Sequence, residues 1–219
     1  MNLATLEFIA KRAAEELQDG WTVNLGRGIP SLVKKFIPPD IELTLLDERG
    51  QLLHLGPSAH KTQKASKQES RPANPPEELS CSYFSAEEAF VMIRGGHLDL
   101  AIMDADQVDE SGNLANWMVP GRRVQGVGGL MDLAVGAKKV ILAMEHRTRE
   151  QKLKIQKNCR LPLTALGVVQ RVITEMAVLD ITPHGLLLRE IAPGLSVDEV
   201  ARSTEAEIRV DKDLKIIQV

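Results

Sequence analysis

Short apolar runs, each stopped by glycine, proline or charge, alternate along this chain with segments of helical pattern. The runs include "WTVNL" (21–25), "LTLL" (43–46), "LDLAIMDA" (98–105) and "KVILAM" (139–144). Apolar stretches this short, bounded by turn residues, read as strands buried on both faces. Their alternation with helices predicts an α/β fold with a mainly parallel sheet, one domain spanning residues 1–219. Further strands are expected in "RVITEMAVLDI" (171–181) and "HGLLLREIAPG" (184–194), joined at Pro183-His184-Gly185, and in "AEIRV" (206–210).

Helix signals fill the gaps. Leu3, Leu6, Ile9, Ala10, Ala13 and Leu17 share one helical face, with Gly20 as the expected stop. Ser85-Ala86-Glu87-Glu88 and Ser196-Val197-Asp198-Glu199 both carry capping-box spacing and should each start a helix, the first running through Ile93. The first helix interleaves acids with bases and has no continuous apolar core, so it does not read as a signal or transit peptide. Residues 58–78 hold no Val, Ile, Leu, Met or aromatic residue. A segment of that composition predicts an exposed loop: a lid, an insertion or a replaced stretch over about 58–80.

Composition excludes several functions. Lys and Arg number 27 against 30 Asp and Glu, for a net charge of -3, which argues against nucleic acid or an anionic membrane as partner. No apolar run approaches the roughly 18 residues of a membrane span. Two cysteines, Cys81 and Cys159, make no disulfide framework, and the five histidines show no metal-ligand spacing, so no metal is expected. The location that follows is cytoplasmic.

The candidate chemistry lies at strand ends, because ligands of open α/β sheets bind outside the carboxyl edge. The stretch "LTLLDERGQLLHLGP" (43–57) sets Glu48 there, with Arg49 beside it. A guanidinium paired with Glu48 would hold the carboxylate away from a substrate; one pointing outward would leave it free. Strand 21–25 runs directly into Gly26-Arg27-Gly28, a geometry that brings backbone N–H groups to an anion. His97 reads as a structural histidine. His146, Glu145 and the pair Arg122-Arg123 are secondary site candidates, and Asn113, Asn116 and Trp117 read as turn and packing residues.

Four stretches carry a resemblance: "DGWTVNLGRGIPSLV", the long segment from "MIRGGHLDLAIMDADQVDESGNLANWMVPG" through "GVGGLMDLAVGAKKVILAMEH", "CRLPLTALGVVQRVITEMAVLDI" and "IAPGLSVDEVARST". Together they resemble the B (beta) subunit of family I coenzyme A transferases. The resemblance implies a doubly wound α/β sheet flanked by helices, paired with a homologous A (alpha) subunit, in an α2β2 arrangement. It also implies transfer of CoA between an acyl-CoA, such as succinyl-CoA, and a carboxylic acid such as a 3-oxoacid. No separate cofactor is implied; coenzyme A is substrate and covalent intermediate. In the family a glutamate in a Ser-Glu-Asn-Gly motif is the nucleophile, and Asp47-Glu48-Arg49-Gly50 stands at the matching place, which assigns Glu48 that role. By the same match Gly26, Gly28 and Gly50, with Gly126, Gly128 and Gly129 of Gly126-Val127-Gly128-Gly129, would approach CoA. Arg49, Arg27 and the altered 58–80 segment depart from the family pattern. They support an alternative, a catalytically impaired homologue that keeps the fold and A-subunit binding only.

Overall fold

The computed structural model describes residues 2–57, 81–121 and 127–218. Five parallel strands form the centre of a ten-stranded sheet: β1 (Trp21–Leu25), β2 (Leu43–Leu46), β5 (Leu98–Met103), β8 (Ala137–Ala143) and β10 (Val169–Ile173). Their order across the sheet is β10-β8-β5-β1-β2. On one flank β3 (Gln51–Leu55) and β4 (Cys81–Tyr83) add antiparallel strands; on the other, β11 (Ala177–Thr182) and β12 (Gly185–Ile191) are antiparallel and β13 (Ile208–Ile216) runs parallel to β12. A second sheet of three short strands holds β6 (Gln107–Asp109), β7 (Leu114–Ala115) and β9 (Ile155–Gln156).

Both faces of the central strands are buried, as their unbroken apolar runs predict. Val23, Leu100, Ile102, Ile141 and Ala143 face α1 (Leu3–Ala14), the short α2 (Ile29–Leu32) and the 3-10 turn Val33–Phe36. Leu46, Ala101, Met103, Val140 and Leu142 face α3 (Ala86–Arg94) and α4 (Leu130–Gly136). Helices on both faces of a parallel core make the α/β architecture that the sequence predicts. The last helix, α5 (Val197–Arg202), and α3 both begin with complete capping boxes, at Ser196–Glu199 and Ser85–Glu88.

Three boundaries differ from the sequence reading. The first helix ends at Ala14, well before Gly20, although Leu17 remains buried beyond it. The run 171–181 is two strands, because the Thr174 hydroxyl accepts hydrogen bonds from the N–H groups of Met176 (3.1 Å) and Ala177 (3.0 Å) and turns the chain back. The final strand continues to Ile216. The 58–80 segment lies outside the described residues, and β4 begins just after it.

Charge fastens α1 to the sheet. Arg12, 4% exposed, donates both Nε (2.8 Å) and Nη2 (2.7 Å) to Glu190 and reaches Glu16 through Nη1 (3.0 Å). Glu16 also receives Lys139 (3.0 Å) and Arg171, and Arg171 in turn holds Asp180 through two bonds. Burial pushes the Glu16 carboxyl up, but the charges and hydrogen bonds of Arg171 and Lys139 outweigh it and bring the carboxyl below its ordinary range. His146 is fully buried between Thr174 (2.9 Å) and Thr204 (3.0 Å), and burial, with Arg147 and Lys154 nearby, lowers its pKa to about 4.

Both features can be tested through stability. Glu16→Gln leaves three cations facing one neutral amide and should cost about 3 kcal/mol in denaturant unfolding; a change below about 0.5 kcal/mol would contradict the role given to the network. The His146 imidazole stays neutral in the fold while the unfolded chain takes up a proton near pH 6.5, so stability should fall as pH drops from 6.5 toward 4. His146→Gln should flatten that window, read as the denaturation midpoint against pH.

Candidate active site

The carboxyl ends of β2, β1 and β5 lie side by side, and each delivers a polar residue to the same rim. β2 leads into a tight hairpin: Asp47 N–H donates to Gln51 O (2.9 Å), and Gly50 N–H donates to Asp47 O (3.1 Å). Glu48 and Arg49 occupy the tip. The Asp47 carboxylate controls that tip, accepting the Arg49 N–H (2.6 Å) and pairing with the Arg49 Nε (3.3 Å). The Arg49 side chain is 78% exposed, so its guanidinium serves Asp47 and projects into solvent. Glu48, half-buried, makes no hydrogen bond or ion pair with any described residue. Of the two orientations open from the sequence, the outward one is found.

Gly129 meets Glu48. A Cβ placed on Gly129 would stand 3.1 Å from Glu48 Cβ and 3.0 Å from the Phe90 ring, tighter than side chains normally tolerate. The bare backbone therefore lets the start of α4 lie directly against the glutamate. Gly128, with φ +52, turns the chain into that position. Phe90 is held over the same place by its helix: Arg94 stacks on its ring at 5.6 Å and bridges to Asp132 of α4 at 2.7 Å. Gly126, like Arg122 and Arg123, lies outside the described residues.

The remaining glycines divide by what their backbone does. Gly50 has φ +92, and a Cβ there would fall 2.1 Å from Phe84 O; its N–H and C=O are both used inside the protein, so its glycine character serves the hairpin. Gly26 likewise spends its N–H on Ile102 O (2.9 Å), and a Cβ there would lie 3.1 Å from the same oxygen, so its bareness lets the chain pass close to β5. Gly28 is exposed and faces Asp104, whose Oδ2 lies 3.7 Å from the place a Cβ would take.

Three residues at this rim were not singled out in the sequence as site candidates. Asn24, 2% exposed, donates Nδ2 to Leu46 O (2.8 Å) and leaves Oδ1 unpartnered among the described residues. It alternates with Val23 and so points to the face covered by α3 and α4. A polar residue inside the apolar run "WTVNL" is the signal that would have found it. Asp104 follows β5, and Lys154, 7% exposed, reaches Asp104 Oδ1 at 3.4 Å. Lys154 carries no sequence signal, because chain pairing between β6 and β9 brings it there.

The other candidates are structural or lie elsewhere. His146 is enclosed by its two threonines. His97 is exposed and its ring makes no hydrogen bond among the described residues. Asn113 donates to Asp109 (3.0 Å) and accepts Gly167 N–H (3.0 Å), Asn116 bonds Thr164, and the Trp117 indole donates to Leu163 O (3.2 Å), all packing roles. Cys159 is half-buried with its thiol pushed up to about 12 by burial and Asp109, so it is no nucleophile. Glu145 lines an open groove of about 820 Å³ beyond the ends of β8 and β10 with Arg147, Arg149, Glu175 and Arg202. Among the described residues, no cluster of three or more His, Cys, Asp or Glu is arranged to hold a metal, and no helix is long and apolar enough to cross a membrane.

Comparison with known proteins places this rim in context. The family model for coenzyme A transferase matches residues 6–203. The beta subunit of a probable coenzyme A transferase from Bacillus subtilis is 44% identical over 212 residues, covering 96% of this chain and 97% of that protein. The corresponding polypeptide of a succinyl-CoA:3-ketoacid coenzyme A transferase from Helicobacter pylori is 41% identical, covering 93% and 98%. Among solved structures, an acyl-CoA transferase from Escherichia coli O157:H7, crystallised as a thioester complex with CoA, superposes with a TM-score of 0.72 at 23% identity, over 98% of this chain and 43% of that one. At that identity the likeness establishes the fold; the 41–44% relatives, matched end to end, and the family model establish the kinship. The chain belongs to the coenzyme A transferase family, as a family I beta subunit and a transferase.

Proposed function

We propose that this chain moves coenzyme A between an acyl-CoA, such as succinyl-CoA, and a 3-oxoacid, with Glu48 as the covalent nucleophile. The observation that carries this reading is a half-buried carboxylate, without hydrogen bond or ion pair among the described residues, at the carboxyl edge of the sheet against the backbone of Gly129. A carboxylate is a weak nucleophile, and one tied to a guanidinium is weaker still; an untied one keeps the freedom to rotate onto a carbonyl.

The reaction is a sequence of acyl transfers. A Glu48 oxygen attacks the thioester carbonyl and expels CoA thiolate, which leaves a mixed anhydride on the side chain. The thiolate then attacks the glutamyl carbonyl, releasing the first acid as a carboxylate and forming a glutamyl-CoA thioester. The incoming acid reverses both steps, so no atom is gained or lost and no redox partner is needed. Each tetrahedral intermediate carries an oxyanion that requires fixed N–H donors. The Gly129 N–H, not used by the described backbone, belongs to the residue packed against Glu48 and, with that of the adjoining Gly128, supplies that chemistry in this reading. In this reading exposed Gly28 keeps the rim low enough for CoA to approach, while Gly26 and Gly50 shape the turns beneath it. Anhydride and thioester both hydrolyse, so water must be excluded during turnover. Glu48 is half-exposed in the isolated chain, and in this proposal a homologous A subunit covers it, in a cytoplasmic α2β2 assembly. The Asp47–Arg49 pairing weighs against the impaired-homologue reading, because the departure at Arg49 does not engage the nucleophile.

Mixed with its A subunit and an acyl-CoA, the chain should carry CoA on the Glu48 peptide by mass spectrometry. Glu48→Gln should lack that adduct and lose about a thousandfold or more in turnover; a well-folded wild-type complex without adduct overturns the proposal. Gly129→Ala places a methyl group against both Glu48 and Phe90 and should lower kcat by about tenfold to a hundredfold while the complex still assembles. Unchanged kcat would remove Gly129 from the site.

A further inference from the structure

We infer that Asp104, fixed by Lys154, is a positioning residue for coenzyme A: its free carboxylate oxygen accepts a hydrogen bond from an amide N–H of the pantetheine arm. This rests on the proposed role of Glu48 and gives a ligand contact to a residue of the same rim.

The crevice where ligands bind in sheets of this kind lies where strand order reverses. Here the chain passes from β1 to β2 on one side and later to β5 on the other, so the reversal falls between β1 and β5. Asp104 stands at the carboxyl end of β5 and faces that crevice. Its Oδ1 is occupied twice, by the Ala105 N–H (2.7 Å) and by Lys154 Nζ (3.4 Å). Its Oδ2 accepts nothing from the described residues and looks at Gly28, where no side chain intervenes. The Asp104 side chain is 46% exposed, so the oxygen is reachable.

Lys154 supplies the second observation. Its side chain is only 8% exposed, and the one hydrogen bond of its ammonium among the described residues goes to Asp104 Oδ1. Glu175 also lies within electrostatic reach of this ammonium, so its charge is shared between two carboxylates, and its one short-range contact falls on Asp104. Set beside Asp104 Oδ1, it helps fix that carboxylate's orientation, with Oδ2 turned to the crevice.

The separation suits CoA. Glu48 and Asp104 terminate strands two places apart, which is about 10 Å between backbones. A glutamate side chain spans roughly 4 Å, and the first amide nitrogen of pantetheine lies roughly 4 Å from the sulfur. A sulfur bonded to Glu48 therefore brings that N–H within hydrogen-bond reach of Asp104. A hydroxyl at the third carbon of an acyl chain is nearer the reacting carbon and falls short. Asn116, whose Nδ2 donates to Asp104 O (3.0 Å), fixes the backbone on the same side.

The test uses the complex with the A subunit and two-substrate kinetics. Asp104→Ala should raise KM for the acyl-CoA by about tenfold and leave kcat and KM for the acid within about twofold. Lys154→Met should shift KM for the acyl-CoA in the same direction. Affinity for free CoA, measured by calorimetry and independent of turnover, should fall by the same factor. That arm separates this inference from the role of Glu48, since CoA can bind whether or not Glu48 reacts. An unchanged KM for acyl-CoA, or a parallel rise for both substrates, would overturn it. So would an Asp104→Ala effect that appears with 3-hydroxybutyrate but not with butyrate, because the acyl hydroxyl would then be the group read.

Discussion

The Asp47 carboxylate decides whether this site can work. It stands one residue before the proposed nucleophile and two before the cation that could have quenched it. By accepting the Arg49 backbone N–H and pairing with the Arg49 guanidinium, it takes up the charge of the arginine next to Glu48 in the chain. Glu48 is left between them with an untied carboxylate. An exposed pair of this kind contributes little to stability. Its consequence is directional: the tip of the hairpin turns its arginine outward and its glutamate toward the start of α4.

That arrangement holds only if the elements around it do not shift, and the molecule fixes them in two ways. Close packing on both faces of the central strands sets their register, and glycine at position 129 lets α4 approach until backbone and glutamate touch. The far side of the sheet is fastened by the Arg12–Glu16–Arg171 network, which joins α1 to β8, β10, β11 and β12 through charged hydrogen bonds. Removing any one member strands the others in a poorly solvated place, so the network acts as a unit. Chemistry at the rim thus draws its precision from rigid strands, while the reactive side chain itself remains free to rotate.

Much of the fold was legible because its signals are local. Four of the five central strands are visible as apolar runs stopped by glycine or charge, the fifth, β10, being merged with β11 in one run, and the capping boxes at Ser85 and Ser196 mark two helices. The misread places depend on contacts that sequence does not display. Thr174 breaks a continuous apolar run by bonding the backbone two and three residues on, and α1 ends at Ala14, where no glycine or proline marks a stop. At the site, Glu48 and Gly129 were readable through the motif, yet their contact was not, since they lie far apart in the chain. The same holds for Asp104 and Lys154. A strand-end aspartate is easy to see, but the buried lysine beneath it arrives through pairing of two short strands in a separate sheet. Gly26 and Gly50 show the converse: the motif marks them, and the structure shows that their N–H groups are already spent on the protein.

Chemistry at this rim depends on Glu48 being electrostatically independent of Arg49. The direct measurement is the rate at which the complex with its A subunit acquires CoA on the Glu48 peptide, compared between the wild-type chain and Arg49→Ala by rapid quench and mass spectrometry. A guanidinium paired to Asp47 and open to water should leave that rate within about twofold. A rise or fall of tenfold or more would show that the arginine acts on the nucleophile after all, and the free carboxylate would no longer explain the site.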